Sequence, residues 1–176
     1  EPFSLQKAFT LIEPGPVLLM TTASGMKRDV MTLTWHMVVD FLPALPSPQV
    51  PGIFVEASEG GRDMRLAVPP ADWIRKVIAV GMISGAETDK FARFDLETEQ
   101  GRYAPPLLTG CIGCIECRVL RFLRKELCCF RVEQAWLNPQ KADSPRIHAV
   151  GDGRFVTDGA AADYRSLMAE KLPEGV

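Results

Sequence analysis

The sequence predicts a mainly β fold: an antiparallel sheet or barrel with short helices inserted at its edges. Three observations carry this. About six short apolar runs are rich in strand formers and follow one another through turns, without the regular strand–helix–strand rhythm of a parallel sheet. Only two or three stretches have helical spacing. Fourteen glycines and fourteen prolines exceed the usual ~12% share, which argues against a bundle of long helices.

Residues 16–23, PVLLMTTA, form the first β-rich run, and 30–39, VMTLTWHMVV, the second. The polar stretch 24–29 between them predicts a hairpin with a longer loop. Read as one strand, 30–39 places Val30, Thr32, Thr34 and His36 on one face and Met31, Leu33, Trp35 and Met37 on the other. Four prolines in 43–51 predict a loop or extended segment, because proline donates no ladder hydrogen bond. A short strand is expected over 53–57, ended by the polar, glycine-rich run 58–63. Trp73, Ile74, Val77, Ile78 and Val80 recur at helical spacing between Pro69-Pro70 and Gly81, which predicts a helix over 71–81. Thr88 is the expected cap of a second helix over 89–94. Residues 105–109 lead into strands expected over 110–120 and 127–137. A glycine-rich turn with a short strand is expected at 150–158, and a helical turn at 164–172.

The length of 176 residues fits one domain spanning 1–176, large enough to hold a core without staples. With 20 basic and 22 acidic side chains the formal net charge is −2, so the chain carries no electrostatic footprint for nucleic acid. No apolar run reaches the ~18 residues of a membrane span, and the start Glu1-Pro2-Phe3 has no signal-type n-region. Five cysteines, an odd number, four of them in or beside strand-like apolar runs, fit a reducing cytoplasm better than a disulfide framework.

Cys111-x2-Cys114-x2-Cys117 is similar to part of an iron–sulfur ligand run, but Arg121 and Phe122 stand where that run continues to its fourth ligand. A strand over 110–120 would put Cys111 and Cys117 on one face and Cys114 on the other, so one cluster could not be gripped by all three. No metal site is expected. His36 and His148 have no partner at metal-ligand spacing, and no nucleophile elbow, Walker loop or dinucleotide fingerprint is present. The hairpin 21–37 joins hydroxyls at Thr32 and Thr34 to an indole at Trp35 and cations at Lys27 and Arg28. Such groups can hold a phosphate and border a planar ring; the plainer reading is a surface hairpin whose tryptophan packs in a core.

Four stretches carry a family resemblance: Glu13-Pro14-Gly15-Pro16 leading into VLLMTTASGMKRDVMTLTWHMVVDF; VGMISGAETDKFARF at 80–94; Leu107, Cys111 and Glu116-Cys117-Arg118-Val119; and GDGRFVTDG at 151–159 with Asp163-Tyr164-Arg165. Together they resemble the flavin reductase-like, FMN-binding split-barrel family, to which flavoredoxins belong. The resemblance implies an antiparallel split β-barrel that binds FMN without a covalent bond, commonly as a homodimer. By position, it implies that Trp35 borders the flavin, that Thr32 and Thr34 lie in the strand lining it, that Lys90 supplies positive charge and that Phe155 meets the cofactor's edge. A cation favours the anionic reduced flavin. The activity implied is electron transfer between a reduced donor and an acceptor, of flavoredoxin type. The alternative on the same fold is an NAD(P)H-dependent flavin or ferric reductase. A thiol or metal protein built on the cysteines is the reading from another class.

Two departures stand out. Asp29 occupies a position where the family usually has Asn, and a carboxylate cannot donate to a flavin carbonyl. The resemblance therefore implies that Asp29 turns away or is a misread residue. Residues 43–66 replace the family's hydrophobic strand and phosphate-contacting segment with PALPSPQVPGIFVEASEGGRDMRL, through a remodelled phosphate site or a compensated frameshift. The stretch 122–131 also fits the family less closely.

Overall fold

The computed structural model describes residues 1–42, 50–56, 63–122 and 127–168. Among the described residues there are twelve strands: β1 (Pro2–Phe3), β2 (Leu18–Ser24), β3 (Lys27–Leu33), β4 (His36–Leu42), β5 (Val50–Glu56), β6 (Asp63–Val68), β7 (Thr98–Glu99), β8 (Leu107–Leu108), β9 (Gly113–Phe122), β10 (Leu127–Leu137), β11 (Ile147–Gly151) and β12 (Arg154–Thr157). Three helices accompany them: α1 (Ile74–Gly81), α2 (Lys90–Arg93) and α3 (Arg165–Met168). The main sheet runs β3-β2-β6-β9-β10-β5-β4, all antiparallel, with β1 added to β10.

The two edge strands of this path, β3 and β4, are consecutive in the chain. Only Thr34 and Trp35 separate Leu33 from His36. Seven strands laid flat would hold their edges roughly 29 Å apart at ~4.8 Å per step. A two-residue link reaches no more than about 11 Å. The sheet must therefore roll until β3 and β4 approach each other at the Thr34-Trp35 link, which yields a barrel split along the β3–β4 seam.

The β2–β3 hairpin is tighter than expected. Ser24 pairs with Lys27, so the loop is Gly25-Met26 alone, and Gly25 at φ +60 supplies the left-handed first position of a type II′ turn. Nor is 30–39 one strand: β3 ends at Leu33 and β4 begins at His36, because the chain must cross the seam there. Pro51 sits inside β5, opposite Phe41 of β4. The pairing of β5 with β10 stops at Gly52, so Pro51 lies where the strand has no second neighbour in the ladder. The rest of the proline cluster, 43–49, falls outside the described residues, as do 57–62. The expected helix over 71–81 forms as a 3-10 turn, Ala71–Trp73, running into α1. The cap of α2 is Asp89, whose carboxylate accepts from the Phe91 and Ala92 amides; Thr88 is not the cap.

The barrel interior holds Leu18, Met20, Leu66, Ile115, Phe130 and Val132, plugged by Leu11 and Ile12 of the N-terminal segment. On the outer face, Leu19, Val30 and Ala67 pack under Val77 and Val80 of α1, Phe91 of α2 and Ile147 of β11. The β11–β12 hairpin turns through Asp152 (φ +54) and Gly153 (φ +70), the Asp-Gly pair that a two-residue hairpin of the I′ kind prefers.

Candidate functional site

The outward groups of the β3 edge are capped at Val30. Lys90 Nζ donates to the Val30 carbonyl at 2.7 Å, and the Val30 amide donates to Asp29 Oδ1 at 2.7 Å. Lys90 and Asp29 close the arrangement at 3.2 Å. The ammonium is buried and the carboxylate half-exposed. Edge strands left open invite pairing with another chain, and this ion pair occupies the donor and acceptor at that point. Gly85 explains why the carboxylate can lie where it does. A Cβ there would sit 2.2 Å from Asp29 Oδ1, so only glycine lets the 84–88 turn approach.

Around this pair the other predicted residues divide. Thr32 donates its hydroxyl to the Val77 carbonyl at 2.6 Å, tying β3 to α1, and Gly81 packs directly against it. Thr34 does not share the strand with Thr32. It lies in the seam and is exposed, as is Trp35, at 73%. Trp35 is thus outside any core. Phe155 is half-buried and packs against the same outer cluster as Val30 and Phe91, which brings the tail motif to the side of the barrel that holds Lys90. Asp29, Thr32, Lys90 and Phe155 therefore gather on one flank, with Thr34 and Trp35 at its seam.

Three further residues join this region. Arg28 lies over the Phe91 ring at 4.4 Å and 3.9 Å from Asp89. Gly85 was visible in the sequence as part of the SG…DKF block. His36, just past the seam, hydrogen-bonds the Pro16 carbonyl through Nε2 at 2.7 Å. A carbonyl only accepts, so Nε2 carries the proton and Nδ1 is the bare nitrogen; it is buried and finds no partner among the described residues. Burial pulls the His36 pKa down, partly offset by the bond to Pro16, and the ring is held neutral.

Cys111, Cys114 and Cys117 do not share one face. Because β9 starts at Gly113, Cys111 precedes the strand and packs with Cys114 in the outer cluster, while Cys117 faces the barrel interior. The expected pairing of Cys111 with Cys117 on one face is thereby corrected. Burial raises all three thiols, Cys114 to about 11. No group of three or more metal-ligating side chains is found among the described residues. No described helix is long and apolar enough to cross a membrane.

The family model described as "Flavin reductase like domain" matches residues 12–156. The chain belongs to this family. The flavin reductase-like fold is equally clear in solved structures. An FMN-binding domain of flavin reductases-like enzyme from Shewanella baltica OS155 superposes with a TM-score of 0.80 at 22% identity, covering 93% of this chain and 96% of that one. The flavoredoxin of Desulfovibrio vulgaris (Miyazaki F) gives 0.70 at 16%, covering 85% and 89%. An NADH:FAD oxidoreductase of Streptomyces globisporus C-1027 gives 0.62 at 16%, covering 83% and 87%. No curated protein sequence matches the chain. The antiparallel, mainly β architecture expected from the sequence is thus the fold of this flavin reductase-like protein.

Proposed function

We propose that this chain is a single flavin reductase-like domain over 1–176 that binds FMN non-covalently and passes electrons between a reduced donor and an acceptor. The family match over 12–156 is the observation that carries this reading. The seam supports it: an indole left 73% exposed beside an exposed hydroxyl is a surface that a planar, hydrogen-bonding ring would cover. Bound flavin supplies one- and two-electron redox chemistry, so no side chain need act as a nucleophile. In this reading Trp35 and Thr34 border the ring and Phe155 lines its apolar side. Thr32 has its proton committed to Val77 and offers lone pairs to a flavin N–H. Lys90 and Asp29 together bring a compensated charge, so the ammonium favours the anionic reduced ring less than a lone cation would.

Trp35 and Met37, 73% and 59% exposed, support covering of the seam by a second copy, hence a homodimer. A cytoplasmic setting fits the three buried thiols that remain reduced. The protein purified from its native context should be yellow and should release FMN, not FAD, on denaturation. Its size-exclusion mass should be about twice 19.4 kDa. A colourless protein that takes up neither added flavin would overturn the reading.

The second reading is an NAD(P)H-dependent flavin or ferric reductase. The structural likeness to an NADH:FAD oxidoreductase favours it. Steady-state NADH oxidation with free flavin or Fe(III) as acceptor separates an enzyme from a carrier, which would transfer electrons only to a partner protein.

A further inference from the structure

A cleft of about 460 Å³ opens between β7, β8, the start of β9 and the end of β10. None of Asp29, Thr32, Thr34, Trp35, Lys90 or Phe155 lines it. Its volume lies within the range of small-molecule sites, roughly 300–1,000 Å³. Leu107, Leu108, Trp136 and Leu137 provide apolar wall, and the neutral thiols of Cys111 and Cys114 lie at its inner side.

The walls are held by their own hydrogen bonds. Trp136 Nε1 donates to Glu116 Oε2 at 3.4 Å, which fixes the indole against a fully buried carboxylate. Asn138 Nδ2 donates to the Thr109 carbonyl at 3.0 Å, and its Oδ1 accepts from the Gln140 amide at 3.1 Å. These bonds hold Trp136 and Asn138 in place as parts of the cleft wall.

The charge of the lining selects the ligand. It contains two carboxylates, Glu1 and Glu99, and no Lys, Arg or His side chain. Among the described residues, Glu99 enters no ion pair. An anion such as a flavin or nucleotide phosphate would meet the Glu99 carboxylate here. An ammonium would be attracted to Glu99 and could lie beside the indole of Trp136.

We propose that this cleft is a second ligand site, for a small organic ammonium with an aromatic or aliphatic body. The apolar part packs on Trp136 and the leucines, and the ammonium faces Glu99. The proposal is independent of the flavin reading.

Titration calorimetry on the full chain tests it, with phenethylamine as probe and 3-phenylpropionic acid as its anionic counterpart. The amine should bind one per chain, with the acid about tenfold weaker or worse. Glu99→Gln, an exposed change that should leave the melting temperature unaltered, should weaken the amine about three- to fivefold. Saturating FMN should leave amine binding unchanged. Equal binding of acid and amine, no heat from either, or an unaffected Glu99→Gln variant would each overturn the proposal. Displacement of the amine by FMN would place it in the flavin site and would overturn it equally.

Discussion

Lys90 and Asp29 meet at 3.2 Å across the open edge of the barrel, with the Lys90 ammonium buried and simultaneously bound to the Val30 carbonyl. The residue that family resemblance assigns to the flavin thus also holds α2 to β3. Its two roles have different signatures.

Replacing Lys90 with Met removes a charge-assisted hydrogen bond from a buried carbonyl. The expected loss is about 2 kcal/mol in urea unfolding. Asp29→Asn keeps the side chain's shape and lies at a half-exposed carboxylate, so it should cost less than about 1 kcal/mol. If Lys90→Met unfolds at the same urea concentration as the parent, the lysine does not fasten the edge.

Arg65 and Glu116 face each other across β6 and β9 and are fully buried, 2.7 Å apart. Arg65 also donates to the Tyr103 carbonyl at 2.6 Å, and Glu116 accepts from the Arg102 amide at 3.1 Å, so the pair straps the 100–106 loop to the sheet. Glu116→Ala leaves a buried guanidinium whose Nε and Nη1 already lack partners among the described residues, and should cost about 3–5 kcal/mol. The charge-free double variant Arg65→Met/Glu116→Leu should recover much of that loss. A double variant no more stable than Glu116→Ala would contradict this account.

His36 should make the fold sensitive to mild acid. Its folded pKa lies below the ordinary 6.5, so below that pH the unfolded chain takes up a proton that the folded chain does not. Stability should therefore fall as pH drops through 6.5 toward the folded value. His36→Gln can donate to Pro16 but does not titrate, and should flatten this part of the profile. Chemical denaturation at several pH values from neutral to mildly acidic reads the slope; parallel profiles for parent and variant would refute the assignment.

The thiols give a kinetic test. Cys111, Cys114 and Cys117 are buried and held protonated, Cys114 up to about 11. Their alkylation at neutral pH should follow unfolding, and mass mapping should find them unmodified in the native protein. Fast native labelling of Cys117 would show that the barrel interior is open.

Some elements were legible because one physical signal dominated. The helix over 71–81 follows from 3.6-residue spacing, and the strand 127–137 is one of the apolar runs. β6 escaped because it is buried on both faces: Met64, Arg65, Leu66 and Ala67 are each 1% exposed, so no alternation marks it, and the charged Arg65 disguises it further. The seam escaped for another reason. Alternation continues unbroken through VMTLTWHMVV, and nothing local reports that the chain changes edges at Thr34-Trp35. Of the candidate site, Lys90 was legible as a charged residue near β3 only through its motif; its partners Asp29 and Val30, 60 residues away for Val30, were not.

By itself the sequence determined that the chain is turn-rich and mainly β, that its outer helices are short, and that its motifs match a flavin-associated family. The first two are set by composition and periodicity; the third rests on the resemblance of the chain's motifs to that family. Tertiary structure decided which groups remain free. The sheet's closure exposes Trp35, buries the Lys90 ammonium against a strand edge, and moves Cys111 out of the strand beside Cys114. Exposure and pairing depend on which distant strand lies alongside, and a two-residue link between the edges of a seven-strand path fixes that only once the sheet has rolled.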